Sequence, residues 1–170
     1  MKRILIAGIG NIFNGDDAFG CEVLRALQSK PFPPNVTAID YGIRGYDLAY
    51  ALAGDYDAII LIDAISRGAE PGTLFLIEPD VSGEAEPPVM DAHSMNPVAV
   101  IRLARSLGRI TGKLYLIGCE AAVLDGETGE FGLSARVEAA IPPAMEMAAS
   151  LVEKILGERK LCERPTLCLS

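Results

Sequence analysis

The chain has no tryptophan, a single histidine (His93), and only 15 Lys and Arg against 23 Asp and Glu in 170 residues. Each scarcity excludes something. A formal net charge of -8 argues against a nucleic-acid partner, because binding phosphates requires a basic surface. One histidine gives little support to a Ser-His-Asp triad, and no GxSxG elbow is present. The four cysteines, Cys21, Cys119, Cys162 and Cys168, form no CxxC pair, so neither a zinc knuckle nor a redox motif is indicated. Cys21 and Cys119 read as small core residues. No apolar run is long enough to span a membrane, and the one after Met1 is too short for a signal peptide. A cytoplasmic protein is the expectation.

Apolar residues, by contrast, are plentiful. They make up 50% of the sequence, enough for one domain with a sheet buried between helices. Ile4-Leu5-Ile6-Ala7 reads as a buried strand. A turn-rich loop from Gly8 to Gly20 follows, then a helix with Val23, Leu24 and Leu27 on one face. Past the break at Pro31-Phe32-Pro33-Pro34, Val36 to Tyr41 forms a second strand, parallel to the first by the right-handed crossover rule. A short helix through Tyr46 and Leu52 ends at Gly54. Asp57 to Ala64, continuously apolar between its aspartates, reads as a central strand buried on both faces.

The link from Ile65 to Pro71 is too short for a parallel crossover, so the strand Thr73–Ile77 should run antiparallel at an edge. A long loop from Glu78 to Met95 carries His93. Asn96 and Pro97 open the next helix as cap and first residue, and Lys113 to Cys119 is the fifth strand. Ser134 caps a last helix, kinked at Pro142-Pro143 and ending near Leu156. Residues 1–157 thus read as a single α/β domain, with 158–170 a weakly ordered tail.

The chemistry follows from the strand order. If the second and third strands flank the first, the switch point of the sheet lies between strands one and three. The loops leaving those strands carry Asp17 and Asp63. Two carboxylates at one crevice repel each other unless they share a proton or a cation. His93, in the loop before the following helix, can reach the same face. Two carboxylates and an imidazole suit zinc, nickel or iron better than calcium or magnesium. Singly, each residue is compatible with a turn or a cap; the convergence is what points to a site. The neighbouring Asp16 reads as a helix-start residue favoured by the dipole. Gly8-Ile9-Gly10 begins a dinucleotide fingerprint, but Phe13 stands at the third glycine position.

Taken together, Gly8-Ile9-Gly10-Asn11, Gly15-Asp16-Asp17-Ala18-Phe19-Gly20, Asp40-Tyr41-Gly42 with Gly45, Leu61-Ile62-Asp63-Ala64, His93 and Gly132-Leu133-Ser134 resemble the maturation endopeptidases of nickel–iron hydrogenases. The resemblance extends to about residue 155. It implies a three-layer α/β/α sandwich with a five-stranded, mostly parallel sheet in order 2-1-3-5-4, strand 4 antiparallel. It also implies one cut near the C-terminus of a hydrogenase large-subunit precursor, made after nickel insertion. The family's metal-contacting residues carry over to Asp17, Asp63 and His93, engaging nickel supplied by the precursor, with zinc or another divalent ion possible in its place. Some members have Glu where Asp17 stands, and Tyr41 stands where glycine is common. The expected partner is the precursor, with the protein itself a monomer. Two other readings are a non-catalytic metal- or nucleotide-binding maturation chaperone and a free-standing zinc peptidase.

Overall fold

Five strands, β1 (Ile4–Ile9), β2 (Val36–Gly42), β3 (Ala58–Ile65), β4 (Leu74–Ile77) and β5 (Lys113–Glu120), make one sheet in the order β2-β1-β3-β5-β4. The computed structural model describes residues 1–81, 96–124 and 131–158. β1 pairs in parallel with β2 and β3, and β3 with β5, while β4 runs antiparallel to β5 from Leu74 opposite Cys119 to Ile77 opposite Leu116. The short β3–β4 link leaves no room for a crossover, so the antiparallel edge follows from chain length.

The strands bury both faces, and their alternation sorts the core into two halves. Ile4, Ile6, Ile60 and Ile62 point to one side, against helices α1 (Phe19–Leu27), α4 (Ala135–Ala139) and α5 (Ile141–Gly157). Leu5, Ala7, Ile59 and Leu61 point to the other, against α2 (Gly45–Leu52) and α3 (Pro97–Leu107). The result is the expected three-layer α/β/α sandwich. Each fully buried Ile or Leu stabilises it by about 1.5–3 kcal/mol, and Ile and Leu make up most of β1 and β3. α3 begins as expected: Pro97 opens it and the Ala99 N–H donates to the Asn96 side chain (2.9 Å).

Three local expectations are corrected. The final helix is two, and the break falls at Ala140, ahead of the prolines. Pro142 and Pro143 lie in the first turn of α5, where the missing N–H has no helical partner to lose. Ser134 does precede α4, but its side chain makes no cap bond there. Asp16 lies in a 3-10 turn, Gly15–Ala18, ahead of α1. The tail from residue 159 lies outside the described residues.

Candidate active site

All four parallel strands end at one edge of the sheet, and the strand order reverses between β1 and β3. Two glycines let the chain close over that point. Gly10 has φ +143°, and a Cβ there would lie 1.9 Å from the Asp17 carbonyl oxygen. At Gly20 an added Cβ would lie 2.2 Å from the carbonyl oxygens of both Ile9 and Ile62, so α1 starts directly against the ends of β1 and β3. The 3-10 turn between them packs against β3, which sets Asp17 beside Asp63.

The two carboxyls differ in surroundings. Asp63 is 3% exposed and accepts the Ala64 N–H at 2.8 Å. Burial pushes its carboxyl well above the usual carboxylate range, and the charge of Asp17 adds to this; the Ala64 N–H offsets a part. Asp17 is half-buried, and burial raises it too, opposed by the Asn11 N–H, which donates to its Oδ2 (3.2 Å), and by the Asn14 side chain. The charge acting on Asp63 comes from another acid rather than from a lysine or arginine. A divalent cation is the natural relief for such a pair.

His93, the third expected member, lies outside the described residues. Among the described residues no three His, Cys, Asp or Glu side chains gather into a set able to hold a metal. To hold a cation the pair would need a further ligand. Cys21, behind the pair, does not serve as a nucleophile: it is buried and its thiol donates to the Gly10 carbonyl (3.5 Å). Burial, a hydrogen bond from the thiol to the Asp40 carboxylate and the charges of Asp40, Asp63 and Asp17 push that thiol far up. A cavity of about 830 Å³, lined by Glu78, Arg105, Arg109 and Lys113, opens near the amino end of β5, away from the pair.

Two acids that anchor the surroundings were not legible in the sequence. Asp16 is 3% exposed, and both its oxygens accept: Oδ1 the Ser134 N–H (2.7 Å), and Oδ2 the Ala122 N–H (2.8 Å), the Ser134 hydroxyl (3.0 Å) and the Val123 N–H (3.4 Å). The dipole reading of Asp16 is replaced by this tie to the β5–α4 connection. Glu120 is also 3% exposed; the Arg67 N–H donates to both its oxygens (3.0 and 2.9 Å) and the Gly68 N–H to Oε1 (3.1 Å), fixing the chain that leaves β3. No local pattern announces bonds that span 53 or 118 residues.

Fold and site define a class: an α/β/α domain that places a carboxylate pair, rather than a phosphate cradle, at its switch point. Comparison with known proteins narrows it. The family model described as hydrogenase maturation protease matches residues 21–151. The hydrogenase 2 maturation protease of Escherichia coli (strain K12) is 30% identical over 154 residues, covering 89% of this chain and 92% of that protein. Hydrogenase expression/formation protein HupD of Rhizobium leguminosarum bv. viciae is 34% identical over 152 residues, 88% of this chain and 74% of HupD. The structure of the hydrogenase maturating endopeptidase HybD from E. coli superposes with a TM-score of 0.70 at 28% identity, covering 89% of this chain and 93% of HybD. The chain belongs to the hydrogenase maturation protease family.

Proposed function

We propose that the protein is an endopeptidase that removes the C-terminal extension of a nickel–iron hydrogenase large-subunit precursor after nickel insertion. The observation that carries the reading is the switch-point pair: Asp63 buried, Asp17 half-buried beside it, and each carboxyl raised. A site built this way gains most when a cation reaches it, and here the cation would arrive with the substrate. Asp17, Asp63 and His93 would engage that nickel, or zinc or another divalent ion in its place, and so recognise only a precursor already loaded. A divalent ion beside the scissile bond would polarise a carbonyl or a water.

The pair's asymmetry assigns the proton work. Asp63 keeps its proton further up the pH scale, whereas Asp17, nearer solvent, ionises first and suits the base that assists hydrolysis. Engaging the cation would require Asp63 to give up its proton, so binding is proton-linked. A non-catalytic chaperone is not favoured, because the family is one of proteases. In this reading the protein acts in the cytoplasm as a monomer. Among the described residues no helix is long and apolar enough to cross a membrane.

The test is Asp17→Asn against nickel-loaded precursor, followed by intact mass and by co-elution. Cleavage lost with the complex retained assigns Asp17 to the chemistry; complex lost assigns it to docking. Full cleavage by the variant would overturn the site.

A further inference from the structure

We propose that Asp16 is a positioning residue for the reaction: held by the β5–α4 connection, it fixes the turn that aims Asp17 at Asp63. The inference rests on the endopeptidase reading above for its kinetic arm alone.

Asp16 lies inside the protein, and four donors from two separated stretches, Ala122–Val123 and Ser134, converge on its two oxygens. Such a set is built for a charge: closing a loop needs no more than one neutral side chain, whereas four N–H and O–H groups aimed at one carboxylate hold it from several directions. Ser134 makes the point locally. It stands at the cap position of α4, yet its hydroxyl donates to Asp16 and leaves α4 without a side-chain cap. A helix start that forgoes its own cap to hold a distant carboxylate breaks a local rule, and such breaks gather at functional sites.

The next residue shows what is gained. In a 3-10 turn successive side chains point about 120° apart, so pinning Asp16 toward β5 turns Asp17 away from it, to the side of the turn that meets β3. The main chain is pinned at the other side: the Asp17 N–H donates to the Asn14 carbonyl (3.1 Å), and the Asn11 N–H is shared between the Asp17 carbonyl (3.2 Å) and its Oδ2 (3.2 Å). Asn14 repeats the tie, its side-chain N–H donating to the Leu124 carbonyl (3.3 Å). The turn therefore bridges β3 and the β5–α4 connection, and Asp17 has little freedom while Asp16 stays bound. Replacing Asp16 by Asn sets an NH2 group against N–H donors and releases one side of that bridge.

The experiment compares Asp16→Asn with Val137→Ala, a core change in α4 that loosens the same region without touching the turn. Both are assayed on nickel-loaded precursor well below their melting temperatures. For Asp16→Asn we expect kcat to fall at least 10-fold with KM within about threefold of wild type, and for Val137→Ala both constants unchanged. Equal behaviour of the two variants, or a raised KM with normal kcat in Asp16→Asn, would overturn the proposal. If wild type itself cleaves nothing, the endopeptidase reading fails, and the positioning role is decided by a crystal structure of Asp16→Asn. Loss of the Asn11–Asp17 side-chain bond would uphold it, and an unmoved Asp17 would overturn it. Should Asp16→Asn not fold, Ser134→Ala removes one of the four donors; a kcat loss of about threefold is expected, and no loss would overturn the proposal.

Discussion

Replacing Asp63 by asparagine should stabilise the metal-free protein while abolishing its activity. Asp63 is 3% exposed on a central strand, and burial first, then the charge of Asp17, pushes its carboxyl well above the usual range. Asparagine keeps the shape and a carbonyl oxygen for the Ala64 N–H, which now donates at 2.8 Å, and removes the charge that the site disfavours. The folded protein holds the Asp63 proton more tightly than the unfolded chain, in which an aspartate titrates near about pH 4. The stabilisation this gives is fully present below that value and is lost as pH rises through the folded-state midpoint. Asp17, raised as well, acts in the same direction. Each pH unit between the two midpoints corresponds to about 1.4 kcal/mol. In a domain of this size 1 kcal/mol shifts Tm by about 2–4 °C, so every pH unit between folded and unfolded midpoints is read as about 3–6 °C. Scanning calorimetry in chelator at pH 8 should show Asp63→Asn melting above wild type, the gap closing toward about pH 4. A variant that melts lower at pH 8, or a gap that does not change with pH, would refute the assignment of Asp63 as a buried, repelled carboxyl.

Four further outcomes follow from the same geometry. Divalent-ion affinity, read by titration calorimetry, should rise as pH rises through the Asp63 midpoint, with proton release on binding; pH-independent affinity would contradict the proton linkage. Gly20→Ala, whose Cβ would meet two carbonyl oxygens at 2.2 Å, should destabilise by more than about 3 kcal/mol in urea unfolding, or fail to fold. Glu120→Gln keeps Oε1 for the Arg67 and Gly68 N–H groups but sets an NH2 where Oε2 accepts the Arg67 N–H; a loss of about 1–3 kcal/mol is expected, with cleavage retained at low temperature. Cys21 and Cys119 are both buried, and burial pushes the Cys119 thiol up to about 12, so a thiol reagent followed by peptide mapping should label neither before denaturation.

The sheet was legible because its determinants are local. The apolar runs at Ile4–Ala7 and Asp57–Ala64, and the seven-residue link from Ile65 to Pro71, contain the parallel centre and the antiparallel edge. The placing of Asp17 and Asp63 was legible for the same reason, since strand order alone decides which loops meet. What sequence could not carry was which of two adjacent aspartates faces which neighbour. Asp16 and Asp17 are chemically identical, and which of them the β5–α4 connection holds is decided by Ala122, Val123 and Ser134, more than 100 positions away. The helix break at Ala140 escaped for a different reason: prolines disrupt a helix interior but suit its first turn, and the pattern of apolar residues continues through both pieces.

The central claim is a single cut in a nickel-loaded precursor, and intact mass measures it most directly. Nickel-loaded hydrogenase large-subunit precursor is weighed before and after incubation with wild type and, in parallel, with His93→Ala. The account predicts loss of one C-terminal peptide with wild type and an unchanged mass with His93→Ala. An unchanged mass with wild type, across every precursor of the host, would contradict it.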